Sequence, residues 1–266
     1  MHAFQYHRPT TTKDALSLAA QKGEGRYLAG GQSLVQAMKL RLTAPSDLID
    51  LGSIAELKSL KVEGNAVVIG AMVRHAEVAG SSSVKKAIPS LSALASLIGD
   101  RQVRHMGTIG GSLANSDPAA DYPAAALALN ATIVTNKRRI EADKFFTGLY
   151  ETALEPGELL TSVSFQIPKR GAYMKFRNPA SRFALVGVYV ADFGSGNVRV
   201  GVTGAGASAF RQTEMEKALS AKFAPEAVAS IKVKRDGLNN DLHASPEYRA
   251  HLITVMCKRA VEAAIK

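Results

Sequence analysis

The sequence predicts an α+β protein built of two units, and three observations carry that prediction. Short strand-like and helix-like segments alternate over the first 170 residues, three consecutive strand-like segments then precede a run of helices, and Pro168-Lys169-Arg170-Gly171 breaks the chain between them. At 266 residues the chain is long enough for two or three compact units with a real core. The expected boundaries are 1–170, itself divided near residue 57, and 171–266.

Taken in order, Thr12 is placed to cap a helix over KDALSLAAQK, RYLAG reads as a short strand running into a glycine loop, and SLVQAMKLRL reads as a helix leaving that loop directly. DLIDLG is a further short apolar run. LKSLKVEGNAVVIGAMV alternates about a Gly64-Asn65 break, the pattern of a hairpin. HAEVAG, SVKKAI and SLSALASLI are three short helical pieces leading to a second glycine loop, after which DYPAAALALN is helical. ATIVTN, RRIEA and ELLTSVSFQIP read as strands. Beyond the break, AYMKFRN, FALVGVYVADF and NVRVGVTGA form three strands with turns at Pro179 and at Gly194-Ser195-Gly196-Asn197, and helices follow.

The two glycine loops carry the chemistry. LAGGQSL (Leu28–Leu34) and TIGGSLANSDPAADYPAA (Thr108–Ala125) each join Gly-Gly to a hydroxyl residue, 80 residues apart from Gly30 to Gly110, and neither contains a positive charge. Glycine admits positive φ and leaves room for a bulky anion, so successive backbone N–H groups can converge on phosphate oxygens in place of lysine. Ser33, Thr108 and Ser112 add hydroxyl donors, and a helix starting after each loop points its positive end at the same anion. Two such loops fit a pyrophosphate, with Asp121 as an acceptor for ribose or ribityl hydroxyls; the alternative is a pair of tight turns. Lys39 and Arg41 either approach phosphates or flank a helix.

Composition narrows the classes. The net charge is +10 and the pI about 9.7, but Lys and Arg are scattered and no aromatics alternate with them, which argues against nucleic acid and for a solvated face or an acidic protein partner. The single Cys257, expected to be a buried small hydrophobe, excludes an internal disulfide or a cysteine-held cluster within the chain. No apolar run approaches 18 residues and the N-terminus lacks a signal pattern, so a cytoplasmic protein without membrane insertion is expected. No acid–base or metal-ligand set stands out. His75 with Glu77, and His105 beside Arg104, have no second ligand at a useful spacing, and Gly204-x-Gly206-x-x-Ala209 lacks the acidic residue a dinucleotide fingerprint requires.

AGGQSLVQAMKLRL and RHMGTIGGSLANSDPAADYPA together resemble the two FAD-binding segments of the medium, flavin-carrying subunit of the molybdenum hydroxylases, the xanthine dehydrogenase and aerobic carbon monoxide dehydrogenase families. ELLTSVSFQIP and MKFRNPASRFALVGVYVAD extend the resemblance over the whole chain. It implies a two-subdomain, PCMH-like FAD-binding domain followed by a C-terminal α+β domain with a three-stranded antiparallel sheet and a helical bundle. It implies that Ala29, Gly30, Gly31, Gln32, Ser33 and Leu34, with Thr108, Ile109, Gly110, Gly111 and Ser112, grip the FAD pyrophosphate. Asp121 matches an acidic ligand, Ile98 an apolar contact, and Leu160 and Lys175 positions near the isoalloxazine; Tyr189 is a candidate for covering that ring. The implied function is electron relay, without catalytic or metal-ligating residues of its own. The implied partners are a [2Fe–2S] small subunit and a molybdopterin large subunit, in a dimer of heterotrimers. A self-sufficient FAD-dependent oxidase or reductase of the same fold is the alternative.

Overall fold

The computed structural model describes all 266 residues. Strands β1 (Gln5–His7) and β2 (Arg26–Leu28) both pair parallel with β3 (Asp47–Asp50), in the order β1-β3-β2. Parallel neighbours need crossovers, which α1 (Thr12–Gln21) and α2 (Leu34–Lys39) supply. Thr11, not the expected Thr12, caps α1: its hydroxyl accepts the Asp14 N–H at 3.1 Å, while the Thr12 hydroxyl turns to Glu56. Ala15, Ile49, Ile54 and Leu57 fill a small core beneath this sheet.

The hairpin about Gly64-Asn65 forms as read, with Gly64 at φ +57°, between β4 (Leu60–Glu63) and β5 (Ala66–Gly70). These strands join β6 (Thr132–Thr135), β7 (Arg139–Glu141) and β10 (Leu160–Gln166) in an antiparallel sheet ordered β4-β5-β10-β6-β7. The ribbon of β8 (Phe146–Gly148) and β9 (Glu151–Thr152) hangs from it. Six helices fill the long passage from β5 to β6: α3 (His75–Gly80), α4 (Ser82–Ala87), α5 (Pro89–Ser96), α6 (Arg101–Met106), α7 (Ile109–Asn115) and α8 (Tyr122–Ala128).

The C-terminal sheet has four antiparallel strands in chain order, β11 (Arg170–Arg177), β12 (Ala184–Asp192), β13 (Val198–Thr203) and β14 (Phe210–Arg211). This corrects the expected three; β14 covers two residues, too few for alternation to be visible in sequence. In place of a bundle, α9 (Thr213–Ala221) and α11 (Pro246–Ile265) form a layer on one face, with α10 (Glu226–Ala229) between them. The other face is covered by α5 and α8, from the first half of the chain. All nine residues of β12 are therefore buried, the continuous apolar signature of a strand covered on both sides. Its alternation separates two cores: Val186, Val188 and Val190 face α11, while Tyr189 and Ala191 belong to the core of the first half. Cys257 lies buried in α11, and burial pushes its thiol up to about 12. No helix is long and apolar enough to cross a membrane.

Candidate functional site

The first glycine segment leaves β2 at Leu28 and enters α2 at Leu34. Gly31 sits at φ +71°, where a side chain is strained. Gly30 is needed for space instead: a Cβ there would stand 2.1 Å from the Met106 carbonyl oxygen and 2.7 Å from Gly107 Cα. The turn is thus pressed against the backbone that introduces the second segment. None of the four N–H groups from Gly30 to Ser33 donates to a backbone carbonyl, and Ser33 at the N-cap of α2 makes no side-chain capping bond. Four successive half-buried or exposed donors are free in one turn.

The second segment is a helix rather than a loop. Thr108 is the N-cap of α7, its hydroxyl accepting the Gly111 N–H at 3.1 Å. Ile109 N–H donates to Val73 O at 3.0 Å, Gly110 N–H to Ala71 O at 2.9 Å, and Ser112 N–H to Thr108 O at 3.0 Å. All four N–H groups from Ile109 to Ser112 are therefore satisfied internally, so converging free donors occur in the first segment and not in the second. The glycines of α7 serve close approach. A Cβ on Gly110 would lie 2.5 Å from Ala71 Cβ, and one on Gly111 would meet Ala29 Cβ at 3.4 Å, which is where the two segments touch.

A second cluster lies at the opposite end of α6. Ile98, half-buried on the loop after α5, has its carbonyl held with that of Gly99 by Arg104 Nη1, at 2.9 and 3.1 Å. Lys175 Nζ, on β11, reaches the neighbouring Leu97 carbonyl at 3.4 Å and pairs with Asp121 Oδ2 at 2.9 Å, while Tyr173 donates to Asp121 Oδ1 at 2.5 Å. The Lys175 and Asp121 side chains are 1% and 4% exposed. Burial raises the Asp121 carboxyl above the usual carboxylate range, opposed by the Lys175 charge and the Tyr173 hydroxyl. Helix α6 spans about 9 Å by its six residues, so the Ile98 loop opens it and the Met106-Gly107 contact with Gly30 closes it. Sequence reading missed α6, although its cap was legible: Asp100 Oδ1 accepts the Val103 N–H at 2.8 Å.

Of the two remaining candidates, Leu160 stands apart and Tyr189 packs behind the second cluster. Leu160 points into the core of the five-stranded sheet, and its neighbour Leu159 instead packs in the small core that takes Ala29. Tyr189 is buried, its hydroxyl 2.5 Å from Ser90 Oγ, and it stacks on Tyr173 with ring centroids 6.1 Å apart. The decoys have structural roles. Burial lowers His75 to about 4, the Glu77 carboxylate accepts the Arg74 N–H at 2.8 Å, and Gly204 sits at φ +82° with its carbonyl accepting from Arg249.

Free backbone donors in a glycine turn, closed by a second Gly-Gly segment and flanked by a buried lysine–aspartate pair, are a donor set suited to a pyrophosphate with a long organic body, the ligand chemistry of a dinucleotide-binding protein. Residues 2–170 match the family described as FAD binding domain in molybdopterin dehydrogenase, and the chain belongs to that family. Its cofactor is FAD. The carbon monoxide dehydrogenase medium chain of Hydrogenophaga pseudoflava is 36% identical over 279 residues, covering 98% of this chain and 96% of the relative. The nicotine 6-hydroxylase medium subunit of Paenarthrobacter nicotinovorans is 35% identical over 272 residues, covering 97% and 96%. Among solved structures, reconstituted CO dehydrogenase from Oligotropha carboxidovorans superposes with a TM-score of 0.92 at 33% identity, over 99% of this chain and 98% of that one.

Proposed function

We propose that this chain is the FAD-carrying electron-transfer subunit of a heteromeric molybdenum hydroxylase, passing electrons from [2Fe–2S] clusters of a small partner subunit to an external acceptor. A molybdopterin large subunit completes the unit, assembled as a dimer of heterotrimers in the cytoplasm. One observation carries the reading: the chain matches along nearly its whole length the medium chains of a carbon monoxide dehydrogenase and of a nicotine 6-hydroxylase. Carbon monoxide and nicotine share no recognisable chemical feature, so a subunit common to both enzymes handles what their oxidations have in common, the electrons.

The residues divide the binding task. The N–H groups of Gly30, Gly31, Gln32 and Ser33, which have no acceptor within the chain, would hold the pyrophosphate, joined by the Ser33 and Ser112 hydroxyls. Thr108, Ile109, Gly110 and Gly111 hold α7 against Ala71, Val73 and Ala29, and so set the width of the grip. Ala29 packs against the small core behind the turn, and Leu34 opens α2. Asp121 and Lys175 hold each other at the far end, where Ile98 offers apolar surface, while Leu160 stays in the core of the five-stranded sheet. When bound, FAD supplies the exchange between one-electron and two-electron carriers. Each residue named here binds or positions; none transfers a proton.

Purification from the native host, with flavin, iron and molybdenum measured in the eluate, tests the proposal. One acid-extractable FAD per chain together with stoichiometric iron and molybdenum is expected. A lone flavoprotein that oxidises an organic substrate at enzymatic rates overturns the relay and favours the oxidase, and extractable FMN overturns the pyrophosphate grip.

A further inference from the structure

The segment 117–121, which leads from α7 into α8 and carries Asp121, meets the C-terminal sheet at a row of three residues. Lys175 on β11 pairs with Gly187 on β12, and Gly187 pairs with Thr203 at the end of β13. Directly paired residues of an antiparallel sheet share a face, so Lys175 and Thr203 flank Gly187 about 10 Å apart. The glycine leaves the middle of the row open. A Cβ there would stand 2.3 Å from the Tyr173 hydroxyl oxygen and 2.9 Å from Thr203 Cγ2, and across that opening Tyr173 reaches Asp121 Oδ1. Gly201, two residues before Thr203 on β13, gives the following helix the same room: a Cβ would stand 2.1 Å from the Ala124 carbonyl oxygen, one turn along α8 from Asp121. The start of α8 rests on the sheet over these two glycines.

Two groups at the end of β13 hold the backbone of the segment. The Thr203 hydroxyl stands 2.9 Å from Pro118 O and 2.6 Å from Ala120 O and shares its proton between them, and the Gly204 N–H donates to Pro118 O at 2.7 Å. Thr203 is fully buried, so water does not compete for that hydroxyl. Behind it, Gly204 sits at φ +82° with its carbonyl accepting Arg249 Nη1 at 2.9 Å, and the same nitrogen donates to Leu185 O at 2.7 Å. Arg249 is itself buried in α11 and paired with Asp241 at 2.6 Å. A chain of direct contacts therefore runs from α11 through the end of β13 to the residue before Asp121. The bonds within the segment are local: Asp117 accepts the Ala119 N–H on its side chain at 2.8 Å and the Ala120 N–H on its carbonyl at 3.0 Å. They shape the turn, and Thr203 and Gly204 fix where it stands.

We propose that Thr203 is a positioning residue of the FAD site: from the C-terminal sheet it holds the backbone on one side of Asp121 while Tyr173 and Lys175 hold the carboxylate on the other, and together they fix where Asp121 meets the hydroxyls of the cofactor. The inference rests on the proposed FAD function. A carboxylate has about four acceptor directions, so the bonds from Tyr173 and Lys175 leave room for a ligand hydroxyl. Hydrogen bonds weaken steeply with stretch and misalignment, so a small movement of the segment is felt in that bond. Thr203 touches no part of the site directly and acts through the Pro118 and Ala120 carbonyls.

The test combines fluorescence titration of the full chain with FAD, visible circular dichroism of the flavin at saturation, and thermal unfolding without FAD. Thr203→Val keeps the shape of the side chain and removes the hydroxyl; FAD affinity should fall about tenfold and the flavin dichroism should change. Thr203→Ala, which lacks the hydroxyl without the bulk, should behave alike, whereas Thr203→Ser keeps the hydroxyl and should bind FAD as the wild type does. Thr254→Val is the control. Its hydroxyl also donates to a backbone carbonyl, Ile231 O at 2.9 Å, between α11 and the residues after α10, so its loss should lower the melting temperature and leave FAD binding unchanged. Thr203→Val and Thr203→Ala that lose stability but keep wild-type affinity and dichroism assign the residue to stability alone and overturn the proposal. A Thr203→Ser that binds as weakly as Thr203→Val, or a Thr254→Val that loses as much affinity, also overturns it. A wild-type chain that takes up no FAD overturns the proposed function and this inference with it, whereas wild-type uptake with unaffected Thr203 variants overturns the inference alone.

Discussion

Replacing Gly30 by alanine adds one methyl group at the junction of the two glycine segments, where its position would be 2.1 Å from the Met106 carbonyl oxygen and 2.7 Å from both the Met106 carbonyl carbon and Gly107 Cα. Every atom in the way is backbone, so no rotamer change relieves the clash. Restoring an ordinary C···O separation of about 3.3 Å requires the segments to part by roughly 1 Å. Overpacking of this kind costs about 1–3 kcal/mol, which for a chain of this size lowers the melting temperature by roughly 2–10 °C. The same displacement moves the free N–H groups of Gly30 to Ser33 away from α7. Losing one charge-assisted hydrogen bond costs about 1.5–3 kcal/mol, so FAD affinity should fall roughly ten- to hundredfold. Gly23→Ala, with nothing within 4 Å of the added carbon, is the control and should leave both quantities unchanged. Thermal unfolding of the FAD-free chain and a fluorescence titration with FAD read the two effects separately. Wild-type values for Gly30→Ala in both would refute the close-approach argument.

Three further outcomes follow from buried ionisable groups. Asp121→Asn leaves the Lys175 charge buried and alone, a loss of about 3–5 kcal/mol in urea unfolding; the double variant with Lys175→Met should recover part of it, and strict additivity would show the pair to be uncoupled. Glu158, held by Arg138 Nε and Nη2 at 3.0 and 2.9 Å and by Thr135 at 2.7 Å, is lowered from 4.5 to about 2. Its stabilisation, on the order of 3 kcal/mol, is therefore complete above pH 4.5 and lost as pH falls toward 2; Glu158→Gln should flatten the stability curve in that window. His75 is neutral in the fold, lowered by burial to about 4 from 6.5, so the unfolded chain binds the extra proton and stability drops as pH falls from 6.5 to 4. His75→Leu should remove that part of the pH dependence, and an unchanged slope between those values would place the proton elsewhere.

The parts of this fold legible in sequence are those decided by neighbours along the chain. The Gly64-Asn65 hairpin needs only alternation and a turn, and the continuous apolar run of β12 follows from its central place in a sheet covered on both faces. The identity of that cover was not legible, because α5 and α8 come from before the apparent boundary at residues 168–171, and nothing local connects Ser90 to Tyr189 across 99 residues. The same distinction separates the two glycine segments. Gly31 takes the positive φ that the turn pattern implied, whereas Gly110 and Gly111 read as a loop because glycine is a poor helix former. In α7 that local penalty is outweighed by a non-local gain at Gly110: a Cβ there would stand 2.5 Å from Ala71 Cβ, so only a residue without one lets the helix bond directly to Ala71 O. Motif recognition therefore grouped two segments to which the fold gives different structural tasks. The first segment presents free donors, and the second fixes where they stand. Lys175 and Asp121 extend the point, since each matched a cofactor position singly, yet they are 54 residues apart and oppositely charged partners in the fold. A variant at either changes both, so the roles proposed for them toward FAD are separable only by the double-variant cycle.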